Sequence, residues 1–254
     1  MPRLPRLAAF IGIGLVAGFL SGLLGVGGGI LVVPALVLLM GFPQKLAGGT
    51  SLVAIAPISV VGLVAYFLEG HIDWSIGVPL AVGMVLGGVL GSWLLARLPA
   101  TAISWIFLAA MVATAIRMLV GEPSAGVPES LDWWEIAALG GIGLVTGVLS
   151  GLVGVGGGVI IVPALTVGLG IEALLAKGAS LIAMIPNAIV SSMLNLRRRN
   201  ADLAAGLTIG LAGCVTTVFG SLVADGIDPR IGSIVFAVFL LLVAVQMLIR
   251  LIRR

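Results

Sequence analysis

The residues best placed to do chemistry in this chain are glycines. Gly25, Gly27, Gly28 and Gly29 interrupt an apolar run, SGLLGVGGGILVVPALVLL at 21–39, with Pro34 following and no charge nearby. Residues 7–41 are too many for one spanning helix and few for two with a turn. The pattern predicts a helix to about Leu24, a non-helical piece through the glycines, and a short second helix started by Pro34, since proline is tolerated in a first helical turn. Gly25 and Pro34 are thus the expected helix-breaking positions. Unwound backbone is costly in lipid and is tolerated only inside protein or beside water. A helix N-terminus there offers free N–H donors and partial positive charge, and glycine lets a ligand approach closely, so the chemistry on offer is the binding of a small anion. The competing reading is close helix packing through small residues, which is preferred for Gly83, Gly87 and Gly91 and for Gly206 and Gly210.

The arrangement occurs twice. Residues 18–36, GFLSGLLGVGGGILVVPAL, and 147–165, GVLSGLVGVGGGVIIVPAL, share 14 of 19 positions without a gap. The same offset of 129 carries Gly49, Ser51, Pro57 and Asp73 onto Gly178, Ser180, Pro186 and Asp202. The second copy supplies Gly154, Gly156, Gly157 and Gly158, with Gly154 and Pro163 as its helix-breaking positions. The expected substrate-binding set is Gly27, Gly28, Gly29, Thr50, Ser51, Gly156, Gly157, Gly158, Ser180 and Asn187.

Each polar member has a plainer reading beside the binding one. Ser21 and Ser150 could donate to a substrate or bond back to their own helix. Thr50, Ser51 and Ser180 are expected to open helices, as N-caps or as site residues. Asn187, inside a span, makes either a helix-to-helix bond or part of a pathway, whereas Asn195 is expected at the interface. Lys177 stands where the other half has Gly48; it attracts an anion at a cavity mouth or snorkels to water.

Catalysis finds no support. GVGGGI lacks the last glycine of a dinucleotide fingerprint and has no acid about 20 positions on. The single histidine, His71, falls in a loop, and Cys214 is alone, so no nucleophile–base pair, metal-ligand set or cofactor site is expected. The chain is expected to be no enzyme.

The elements that must hold these glycines are membrane helices. The chain is 60% hydrophobic and 9% charged, with a mean hydropathy of +1.30; soluble domains carry about 25% charged residues. Apolar segments are expected at about 7–24, 30–41, 49–68, 75–96 and 101–120, and again at about 136–153, 159–170, 177–196, 203–224 and 231–251. The expected fold is an all-α integral membrane protein, one membrane domain over 1–254. Repeat 1 covers about 7–120, a connecting loop 121–135 and repeat 2 about 136–251, each repeat with a Gly-rich broken helix. The start resembles a signal peptide, but its internal copy argues against cleavage.

If both members of each leading pair cross, each half crosses an odd number of times and the repeats are inverted, an architecture of many secondary transporters. Ten crossings put Arg3, Arg6, Lys45, Arg97, Arg197, Arg198, Arg199, Arg250, Arg253 and Arg254 inside, and Arg117, Lys177 and Arg230 outside. Eight crossings with parallel repeats give a weaker asymmetry, so ten is preferred, with both termini cytoplasmic. The net charge of +3 is explained this way rather than by nucleic acid, because the basic residues lie between apolar segments.

GVGGG followed by proline, twice, with AGGTSL and AKGASL opening the next helix of each half, resembles the TauE/SafE family of sulfite-exporter-like membrane permeases. The resemblance covers nearly the whole length. It implies a secondary transporter of small anions such as sulfite, sulfoacetate or thiosulfate and identifies neither the coupling ion nor the direction of transport; a proton or sodium ion is the expected coupling ion, and a bacterial inner membrane the expected location. It maps the family's motifs onto the two glycine sets and onto Gly49, Thr50 and Ser51. The second half departs, with Gly178, Ala179 and Ser180, losing one hydroxyl. A passive anion channel and a non-transporting membrane assembly subunit are the alternatives.

Overall fold

The computed structural model describes residues 3–95 and 132–252, with scattered positions between 99 and 120. The fifth segment expected at 101–120, loop residues 121–131, and Arg97, Arg117, Arg253 and Arg254 lie outside the described residues. The described helices are α1 (Arg3–Leu24), α2 (Gly29–Leu39), α3 (Gln44–Leu68), α4 (Trp74–Leu95), α5 (Trp133–Val153), α6 (Gly158–Pro163, continued by a π turn Ala164–Gly168), α7 (Ala173–Arg197), α8 (Leu203–Asp225) and α9 (Pro229–Ile252). Among the described residues, six helices are long and apolar enough to cross a membrane. At 25 residues each, α3 and α7 outspan a hydrocarbon core of about 30 Å.

Local chemistry sets several helix ends. Asp132 and Glu135 form a capping box at the start of α5, with Glu135 Oε2 accepting from the Asp132 N–H at 2.9 Å. Asp202 accepts from the Ala205 N–H at 3.0 Å at the start of α8. Its repeat counterpart Asp73 accepts from the Ser75 N–H at 2.8 Å.

Four starts differ from the sequence expectation. α2 begins at Gly29 and α6 at Gly158, so Pro34 and Pro163 lie inside their helices rather than opening them. Glycine at the N-cap already turns the chain into a helix, and proline's missing N–H removes one bond without stopping it. α3 begins at Gln44 and α7 at Ala173, because Pro43 and Glu172, in extended backbone, precede them. Thr50, Ser51 and Ser180 therefore sit seven or eight residues into their helices and are not N-caps.

α3 and α7 form the centre and run antiparallel: Gly49 packs against Asn195, and Gly62 against Leu181. Around them the two halves interlock. α1 packs beside α8 and α4 beside α5, while α4 also lies on α7 and α8 on α3. The α4–α5 seam is built from Gly83, Gly87 and Gly91 against Gly143, Gly147 and Gly151; a side chain at Gly87 would meet the Leu144 carbonyl oxygen at 2.1 Å. The α1–α8 seam matches it, with Gly18 facing the Gly213 carbonyl oxygen at 2.0 Å. Spacing by four places these small residues on one helix face, letting backbones approach as in membrane helix pairs. Gly206 and Gly210 likewise pack, on Val53 and Pro57.

The outer faces are apolar. On α8, Leu211, Val215, Phe219 and Leu222 are exposed while Ile209, Gly213, Thr217 and Gly220 are buried. Such a stripe is inverted relative to a soluble helix and suits lipid. Trp74, Trp133 and Trp134 are exposed at the starts of α4 and α5, where aromatic side chains anchor helices at a membrane interface.

The ends of the bundle differ in charge. One end carries Arg6, Lys45, Arg197, Arg198 and Arg199, and there Arg198 donates to the Ser92 carbonyl. The other carries Glu69, Asp73, Asp132, Glu135, Glu172 and Asp225, where His71 Nε2 lies 2.9 Å from Asp225 Oδ1.

Candidate functional site

The glycine segments lie in the interior. α1 stops at Leu24 and α2 starts at Gly29; α5 stops at Val153 and α6 starts at Gly158. Residues 24–30 and 151–159 are buried. Gly25 and Gly154 close the preceding helices by donating to the Ser21 and Ser150 carbonyls at 2.8 and 2.7 Å. The chain turns at Gly28 (φ 70°) and Gly157 (φ 85°), left-handed conformations that favour glycine. The next helices begin with Leu31 and Val32 N–H bonded to the Gly28 carbonyl, and Ile160 and Ile161 N–H to that of Gly157. Ahead of these lie the donors that every helix start leaves without an intrahelical partner.

The two links touch. A side chain at Gly29 would meet the Val155 carbonyl oxygen at 2.6 Å, and one at Gly158 would meet the Gly25 carbonyl oxygen at 2.7 Å. Between them stand Ile55 and Met184, both 0% exposed and themselves a pair at the repeat offset. Gly27 and Gly156 both abut the Met184 methyl and Ile55.

The serines brace the links reciprocally. Ser51 Oγ donates to the Gly154 carbonyl and lies 2.8 Å from that of Gly48. Ser180 Oγ donates to the Gly25 carbonyl and lies 2.8 Å from that of Lys177. Each serine therefore ties the third helix of its own repeat to the link of the other. Thr50 lies apart: its Oγ1 accepts from the Asp202 N–H at 2.9 Å at the basic end.

Asn187 belongs to the second link. Its Nδ2 donates to Ser150 Oγ at 3.0 Å, and its Oδ1 accepts from Ser191 Oγ at 3.3 Å. Ser150 is thus held by another helix rather than by its own. Ser21, 0% exposed, has no hydrogen-bond partner among the described residues. Neither serine makes the back-bond to its own helix that sequence allowed. Asn195 is 2% exposed and donates to the Ser191 carbonyl at 2.8 Å, so it is a buried residue and not an interfacial one. The small Gly49 opposite leaves room for it.

Lys177 is half-buried in the second turn of α7, its stem packed on Gly25. Gly48 holds the equivalent place against Gly154. Sequence reasoning passed over Ile55 and Met184 because neither is polar; the offset of 129 that pairs them was the available signal. It also passed over Tyr66, whose buried hydroxyl donates to the Gly22 carbonyl at 2.8 Å, one turn before the first link.

Six described helices, long and apolar enough to cross a membrane and packed around buried paired glycine links, are those of an all-helical integral membrane protein. The sequence profile of the family described as Sulfite exporter TauE/SafE matches residues 10–172 and 139–254, and the chain belongs to that family. It is 28% identical over 247 residues to a Probable membrane transporter protein of Xylella fastidiosa, covering 94% of each chain. A segment of 82 residues is 45% identical to the Bacillus subtilis Probable membrane transporter protein YunE, covering 32% of this chain and 30% of that one. The Methanocaldococcus jannaschii Probable membrane transporter protein MJ0441 is 30% identical over 159 residues, covering 60% and 59%. No solved structure matches.

Proposed function

We propose that the protein is a secondary carrier of small anions, with sulfur oxyanions or organosulfonates as the substrate class, working by alternating access between two inverted repeats. The observation that carries this reading is the contact of two buried, unwound glycine links in the centre of the bundle. Each offers free N–H groups at a helix start, the polar surface that a carrier places at mid-membrane. The family's description as a sulfite exporter supports the substrate class.

Inversion is supported by the antiparallel course of α3 and α7, which are equivalent by sequence. Repeat 1 covers about 7–120 and repeat 2 about 136–251, in one membrane domain with ten segments. Gly25 and Gly154 break the leading helices, and Gly27, Gly28, Gly29, Gly156, Gly157 and Gly158 present the backbone. Ser51, Ser180 and Asn187 hold the links in place. Ile55 and Met184 close the centre between the two ends. Methionine's flexible side chain can move as the repeats rock. The basic end faces the cytoplasm of a bacterial inner membrane, with both termini on that side. A proton or sodium ion supplies the gradient.

The test is thermal stabilisation of the purified protein by sulfite, sulfate, thiosulfate, sulfoacetate, phosphate, lactate and chloride, because a ligand of the folded state raises its melting point. A selective rise with a sulfur oxyanion or sulfonate is expected. A folded protein that responds to none of these anions contradicts the reading.

A further inference from the structure

The two links have different polar groups left over. At the second, Ser150 receives a hydrogen bond from Asn187. At the first, the residue equivalent to Asn187 is Ile58, which has nothing to donate, and Ser21 Oγ is left buried at 0% exposure without a partner among the described residues. An unsatisfied buried hydroxyl costs stability, so an orphan beside a binding segment points to a missing ligand. Ser150 shows where this side chain sits: its Cβ lies 3.7 Å from the position a Cβ would take on Gly157. In the first repeat a Cβ on Gly28 would meet Ala17, one turn before Ser21 on the same face of α1.

Charge is unequal in the same sense. A side chain at Gly25 would meet Lys177 Cβ at 2.5 Å, so the lysine's stem lies on the first link. The second link meets Gly48 at that place and gains no cation. Among the described residues Lys177 forms no ion pair, although the acidic end of the bundle is near; the ion pair at that end joins His71 and Asp225. The Gly25 N–H donates to the Ser21 carbonyl, so Ser21 stands one helical turn before the glycine on which the Lys177 stem packs.

We propose that the first glycine link supplies the side-chain donors of the anion site, the Ser21 hydroxyl and the Lys177 ammonium beside the N–H groups at the start of α2, while the second link contributes backbone only. This rests on the anion-carrier reading and adds where and by what the anion is held. An anion arriving from the acidic end meets Lys177 first, so the lysine sets affinity from that side. A hydroxyl donor and an ammonium suit an oxyanion, whose oxygens accept from both.

The experiment is saturable uptake of labelled sulfite into proteoliposomes by the wild type and by Ser21→Ala, Lys177→Gly, Lys177→Arg and Ser150→Ala, with the melting temperature of each. Ser21→Ala and Lys177→Gly are expected to raise KM roughly tenfold or more, the loss of one charge-assisted hydrogen bond. Lys177→Arg recovers most of the affinity. Ser21→Ala melts no lower than the wild type, since it removes an orphan, whereas Ser150→Ala melts lower and raises KM less than Ser21→Ala does. Wild-type flux with unchanged KM in both Ser21→Ala and Lys177→Gly overturns this inference and leaves the carrier reading intact. Absence of wild-type flux with sulfite, thiosulfate and sulfoacetate alike overturns the carrier reading and this inference with it. If Lys177→Gly does not fold, Ser21→Ala against Ser150→Ala decides.

Discussion

The first glycine link, 25–29, and the second, 154–158, repeat the same residues among different neighbours. Gly28 turns against the Ala17 carbonyl oxygen, 2.7 Å from where a Cβ would stand; Gly157 turns against the Met84 methyl at 2.4 Å. Backbone cannot give way, and a methionine tip can. Ser150 has Asn187, and Ser21 has no partner among the described residues. Lys177 lies on the first link and Gly48 on the second. Duplication supplied two equal frames, and the differences lie in side chains that brace one frame and leave the other with unmet polar groups.

Substitutions can break or sharpen that contrast. The largest effect is expected from Gly28→Ala, which adds about 1–2 kcal/mol of left-handed strain to an overlap with backbone; a sharp fall in melting temperature by fluorescence-detected chromatography is the readout. Gly157→Ala carries the strain alone and falls less. Equal losses would mean that the Met84 methyl is as immobile as backbone. Next comes Asn187→Ala, which leaves Ser150 and Ser191 without their amide and is expected to cost about 1–3 kcal/mol. Ile58→Val, a truncation at the equivalent place of the first link, breaks no hydrogen bond and is expected to cost about 0.5–1.5 kcal/mol of packing.

Ser51→Ala and Ser180→Ala should be alike, each losing one cross-repeat hydrogen bond at about 1 kcal/mol. A large inequality in melting temperature would show that the serine braces are not equivalent. Smallest is Ser21→Ala, expected within about 0.5 kcal/mol of the wild type in stability. A marked loss would mean that Ser21 has a partner in the folded protein.

Much of this contrast is legible in the sequence, and the reasons are physical. The interruptions at Gly25–Gly29 and Gly154–Gly158 are readable because glycine within an apolar run lacks a helix-forming purpose, and the duplication is readable from identity. The start of α2 is not: proline is strong punctuation, but it is compatible with a helix already begun by glycine at Gly29. Gln44 and Lys45, which look like loop, open α3 because polar residues suit a helix end outside the hydrocarbon. The serine braces were invisible because Ser51 and Gly154 are 103 residues apart and meet only when the repeats interlock. Ile55 and Met184 carry no polar signal, and only their tertiary position makes them central. Asn195 reads as interfacial from its place near a helix end, yet the α3–α7 crossing buries it.

The central claim is that the paired links form a site that carries an anion from one side of the membrane to the other. Counterflow measures this most directly: proteoliposomes preloaded with unlabelled sulfite, diluted into labelled sulfite, with the label followed inside over time. The account predicts transient, saturable accumulation of label above the outside concentration, because a carrier returns loaded. Sulfite-dependent uptake that never exceeds equilibration and does not saturate would contradict it and mark the protein as a passive pathway.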